Sequence, residues 1–178
     1  MTSCEIGRMD KSSMQFYVQA VFGILGQPRK FFSELPPAIG MLQPLGFLVL
    51  SALFFCAASL MNIRHDALFI MGGIYLFNAV GMVFIMTGLG YLVMTLSIGK
   101  KVPFARLFSI YALCSGVTLL VSWVPYFVVF TEPWKWYLIG TGLTKGCGLK
   151  IKDTVLIIAL SLTLWILFYR ALVPIITL

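Results

Sequence analysis

The stretch Ala67–Ile98, ALFIMGGIYLFNAVGMVFIMTGLGYLVMTLSI, runs for thirty-two residues without one charge. A transmembrane helix needs roughly 20 apolar residues to cross a hydrocarbon core about 30 Å thick. At ~1.5 Å per residue this run reaches about 48 Å, so as a helix it must tilt, bend or begin at the interface. Gly72-Gly73 is a place to bend. Only 11% of the 178 residues are charged, against about 25% in soluble domains. The expected fold is therefore all-α, a polytopic transmembrane helix bundle.

The net charge is +7. A nucleic-acid binder gathers its basic residues into a patch or stripe. Here they sit in small groups between apolar runs, as in membrane loops, so nucleic acid is not an expected partner. Residues 1–42 carry Arg8, Lys11, Arg29 and Lys30. Arg64 follows alone, then Lys100, Lys101 and Arg106, then Lys135, then Lys145, Lys150 and Lys152. By the positive-inside rule the rich groups are cytoplasmic. This alternation predicts about five spans, with the N-terminus cytoplasmic and the C-terminus outside. The polar N-terminus lacks the apolar core of a signal peptide, so the first span is expected to direct insertion.

Residues 1–42 read as a cytoplasmic segment and 43–178 as the transmembrane domain. Spans are expected near Leu45–Met61, Ala67–Ile98, Phe104–Trp123 and Thr154–Val173. The stretch Val124–Leu143 admits two readings. A turn at Thr131–Pro133 gives a kinked third span and a short fourth helix. A turn at Pro125 makes Tyr126–Lys145 a full span and places Glu132 and Lys135 near mid-depth. A buried pair is costly, which favours the turn at Thr131–Pro133. Trp123, Tyr126, Trp134 and Trp136 have the look of an interfacial aromatic belt.

Ahead of the first span, residues 1–12 are polar and expected to be mobile. Ser13–Leu25 is apolar but too short to cross. It is either an amphipathic helix at the interface or a buried helix on the cytoplasmic side. In Gln27–Pro37, Pro28 suits the first position of a helix, where its missing N–H costs nothing. Phe31, Phe32 and Leu35 then share a face, with Arg29 and Lys30 beside the rings. A short helix lying on an anionic leaflet has this pattern. Pro28, Arg29, Lys30, Phe31 and Phe32 are the candidate interaction residues.

Catalytic signatures are missing. There is no H-E-x-x-H, no G-x-S-x-G and no phosphate-binding loop. Cys4, Cys56, Cys114 and Cys147 form no C-x-x-C motif, and the sequence supports neither a disulfide framework nor a metal site. The only histidine, His65, sits in a short polar loop and reads as solvated. Asp153 is placed to cap the last helix. No cofactor, metal or catalytic residue is expected, and the chain reads as non-enzymatic. Polar residues inside a membrane are function candidates by default. Asn78 is one, with a packing hydrogen bond as its competing role. The i, i+3 pair Glu132 and Lys135 is the other.

Two segments carry a family resemblance. The early pattern L-x-x-P-x-x-x-F-x-x-L stands here as Leu25, Pro28, Phe32 and Leu35. A late pattern of Trp, an apolar stretch, Gly-Leu, a basic turn and a final span stands as Trp136, Gly142, Leu143 and Lys150–Thr154. With five crossings and a cytoplasmic N-terminus, this resembles the YIP family (Ypt/Rab-interacting proteins) over about Val21–Leu172. The aromatic, glycine-rich N-terminal motif of the eukaryotic trafficking members is absent. That resembles the bacterial-type branch, where no small GTPase partner need exist. The resemblance implies a multi-pass protein of the cell membrane, the inner membrane in a bacterium, with no known chemistry. Expected partners are membrane lipids and a membrane or cytoplasmic protein. The expected role is membrane organisation or protein interaction. The alternative is a small transporter or permease subunit moving an ion or small solute.

Overall fold

A computed structural model describes residues 3–36, 40–61, 68–99, 102–122, 124 and 126–176. All described elements are helical. They are α1 (Ser3–Gly26), α2 (Pro28–Glu34), α3 (Leu42–Leu60), α4 (Leu68–Val93), α5 (Phe104–Leu119), α6 (Val128–Thr141) and α7 (Ile151–Ile176). Two π turns, Met94–Ile98 and Gly142–Gly146, extend α4 and α6. Arg64, His65, Lys100, Lys101 and Trp123 lie outside the described residues.

Proline chemistry sets both ends of α2. Pro28 opens it and breaks the ladder from α1, leaving the Gln27 N–H on the Gly23 carbonyl at 2.9 Å. Leu35 precedes Pro36, which disfavours the helical region for it; it is extended at φ −63°, ψ 122°. Helix α1 starts earlier than expected, at Ser3 rather than near Ser13. Its apolar half divides between two faces. Ala20 and Ile24 are fully buried, whereas Val18, Phe22 and Leu25 form an exposed apolar stripe. Tyr17 packs its ring on Phe47 of α3 with centroids 4.8 Å apart, and its hydroxyl lies 3.3 Å from Ser51 Oγ.

The middle of the bundle is α5. Its residues Leu107–Cys114 are all buried, as are Gly116, Val117 and Thr118. Helices α3, α4 and α6 pack around it. The uncharged run that dominates the sequence is α4 and its π turn, and it lies at the edge. Only 11% of its apolar window is buried, and Phe69, Ile70, Ile74 and Phe77 face outward. With no water to drive helices together, close contact in a membrane comes from small and hydroxyl-bearing residues. Helix α5 carries Ser109, Ser115, Gly116 and Thr118, whereas α4, despite its glycines, leaves an apolar outer face bare.

The favoured turn at Thr131–Pro133 is overturned. The chain turns between Leu120 and Phe127, where the Thr118 carbonyl accepts from Val121 and Ser122 N–H and Tyr126 takes a left-handed φ of 68°. Helix α6 then runs straight through Thr131, Glu132 and Pro133. The cost that favoured the other turn presumed a buried pair. Instead, Lys135 Nζ meets Glu132 Oε1 at 2.6 Å, and the side chains keep 22% and 50% of their exposure. Asp153 also differs from expectation, sitting inside the first turn of α7 rather than at its cap. Its carboxylate still faces the favourable end of the helix dipole.

Candidate functional site

Two places gather the chemistry-bearing residues. The first is the ledge formed by α2 against the π turn after α6. Of its five candidate residues, Arg29 and Lys30 are exposed, Pro28 and Phe31 are half-buried and Phe32 is completely buried. The two rings diverge, meeting edge-on at 81° with centroids 5.4 Å apart. Phe31 covers Gly23 of α1, where a Cβ would come within 2.7 Å of its ring. Phe32 goes the other way, into the hollow that Gly142 leaves; a Cβ there would meet both Phe32 and Ile110. The rings thus anchor the ledge to the protein, and the basic pair is what it presents.

Arg106 holds this ledge from below. Its Nε and Nη2 donate to the Gly146 carbonyl at 2.8 and 2.6 Å. Nη1 donates to the Pro36 carbonyl at 2.9 Å, and Nη2 also reaches Leu35 O at 3.4 Å. These carbonyls belong to chain ends just past α2 and in the π turn, where no helical N–H is left to satisfy them. One guanidinium fork serves both. Beside it, burial pushes the Cys147 thiol above its ordinary range, and the Arg106 charge opposes that only in part. Sequence reasoning counted Arg106 only as a loop charge. The signal was its position: a cation in the first turn of a helix opposes the helix dipole and needs compensation from elsewhere.

The second place is a cavity of about 340 Å³ between α4, α5, α6 and α7. Asn78, Glu132 and Lys135, taken from the sequence one by one, all line it. One wall is Tyr111, Ser115 and Thr118 of α5, at i, i+4 and i+7 on one face, continued by Ser122 in the turn after it. That spacing was readable and was missed. Met86, Ile139, Leu162 and Trp165 supply apolar walls. Lys135 Nζ also sits 5.5 Å from the Trp136 ring centroid, a cation–π distance. Tyr111 is 1% exposed, with its hydroxyl tucked over Gly90, where a Cβ would come within 2.8 Å. Ser161 lies alongside that buried hydroxyl. Among the described residues no cluster of three or more His, Cys, Asp or Glu side chains could hold a metal.

Two of the helices, Leu42–Leu60 and Phe69–Ser97, are long and apolar enough to cross a bilayer. An all-helical bundle with such helices, one left almost bare on its outer face, has the construction of a membrane protein. The chain belongs to the Yip1 domain family, whose match covers residues 22–173. That segment nearly coincides with the Val21–Leu172 overlap expected from the proline–phenylalanine and tryptophan–glycine motifs. No curated protein and no solved structure gives a match.

Proposed function

We propose that this chain is a non-enzymatic five-span component of the bacterial-type branch of the family, in the inner membrane with its N-terminus cytoplasmic. It works by binding a protein partner or the lipid surface through α2. One observation carries this reading. The ledge is pinned by Phe32 and by the Arg106 fork, yet Arg29 and Lys30 stay exposed on it. A short helix of this length has no stability of its own. Fixing it against the bundle while leaving two cations outward makes sense as a presentation surface, since an ordered basic pair meets an acidic partner without a further ordering cost.

Charge reversal of both residues, Arg29→Glu with Lys30→Glu, is expected to weaken association with the partner or anionic vesicles by at least about tenfold, as each basic residue near an anionic surface contributes about 1 kcal/mol. Thermal unfolding should stay within a degree or two of the parent, because both side chains are exposed. Association unchanged in mild-detergent pull-downs and in vesicle sedimentation alike would remove α2 as the working surface.

The transporter alternative rests on the cavity that joins Asn78 to the Glu132–Lys135 pair. It requires a solute flux in proteoliposomes that Glu132→Gln abolishes. A purified protein with no flux to begin with ends it.

A further inference from the structure

The polar cavity does not stand alone. A shallow open groove along the outer face of α4 shares Asn78 and Met82 with the first cavity, and every residue lining it belongs to α4. Its remaining lining is apolar: Ile70, Gly73, Ile74, Phe77, Gly81 and Ile85. A hydroxyl- and charge-lined chamber therefore lies beside a greasy groove on the helix most exposed to hydrocarbon, with Asn78 on the border of both. A water-soluble solute uses only the first half of this arrangement. An amphipathic molecule uses both.

We propose that the chamber and the adjoining groove bind one zwitterionic phospholipid, headgroup on the Glu132–Lys135 pair and one acyl chain along α4. Hydrogen-bond counting supports the headgroup. An ammonium has three donors and a carboxylate two acceptor oxygens. The contact between Lys135 Nζ and Glu132 Oε1 uses one of each. A lipid phosphate takes the remaining Lys135 donors and an ethanolamine ammonium takes the free Glu132 oxygen, so four alternating charges meet without breaking the pair.

Charge also sets the selectivity. A neutral pair receiving a zwitterion stays neutral, whereas an anionic headgroup sets its charge against Glu132. The protein as a whole, at +7, attracts anionic lipid. A preference for the zwitterion therefore opposes the global charge and can come only from a local site.

The test uses the full-length, delipidated protein with equal amounts of phosphatidylethanolamine and phosphatidylglycerol, and counts retained lipid by native mass spectrometry. One phosphatidylethanolamine per chain is expected, favoured about tenfold, the scale of one charge-assisted hydrogen bond gained or lost. The double variant Glu132→Gln/Lys135→Gln removes both charges together, leaves no orphan ion and should erase the preference. Gly73→Leu, placed where nothing lies within 4 Å of its Cβ position, should fill the groove and lower retention of phosphatidylethanolamine with the pair intact. If the double variant does not fold, Gly73→Leu and the two-lipid competition on the parent protein still decide. Equal retention of both lipids overturns the proposal, as does retention indifferent to all variants. So does glycerophosphoethanolamine, the headgroup without chains, competing as well as the lipid, since that outcome describes a solute site.

Discussion

Phe32→Ala is expected to detach α2 from the bundle, at a cost of about 3–5 kcal/mol, the usual range for emptying a buried aromatic site. Phe32 is 0% exposed, and the hollow it fills cannot close, because its other side is the backbone at Gly142 and the side chain of Ile110. For a chain of this size the change corresponds to a fall of roughly 10 °C in the unfolding midpoint. Phe31→Ala serves as the contrast. Its ring is only half-buried and rests on α1, so about 1 kcal/mol is the scale expected for its partial burial. Hydrogen exchange resolves where the loss falls. Amides of Phe31–Leu35 should lose protection in Phe32→Ala while those of α5 keep it. Equal losses for the two phenylalanines would mean that the ledge is held through α1, not through the π turn after α6.

The contrast between neighbouring rings also shows what the sequence could and could not yield. The start and stop of α2 were legible, because Pro28 and Pro36 act through local sterics. The direction of each ring was not: one face by helical spacing still left membrane and protein open as its neighbour. Helix α4 announced itself as a span, yet its uniform greasiness is the signature of an edge position. The helix at the centre, α5, is less apolar and carries Ser109, Cys114, Ser115 and Thr118. Arg106 and the hydroxyl face of α5 left readable traces, one as a cation at the wrong end of a helix and one as a spacing. What joins Asn78 to Glu132 and Lys135 is tertiary: α4 and α6 flank α5 and line one cavity, and no local pattern records that. The misplaced turn has a similar origin. Depth was inferred from the length of the apolar run, whereas the pair lines a half-open cavity between four helices.

Arg106→Gln is the second large effect, expected at about 3 kcal/mol, since hydrogen bonds to a charged group are worth roughly 1.5–3 kcal/mol each and are not additive. The loss has two parts. The Leu35, Pro36 and Gly146 carbonyls lose their shared donor, and the tie between two distant chain segments goes with it. Arg106→Lys keeps the charge but not the fork, and one ammonium cannot reach three carbonyls in the same directions. It should recover less than half of the lost stability. The decisive measurement couples this variant to the presentation surface. Arg29 and Lys30 are untouched in Arg106→Gln, so a ledge that works by being held in place should lose affinity for its partner or vesicle along with its hydrogen-exchange protection. Lost protection with full affinity would show that the two cations act as a tethered charge, indifferent to the fold beneath them. In that case, the pinning of α2 serves the bundle alone.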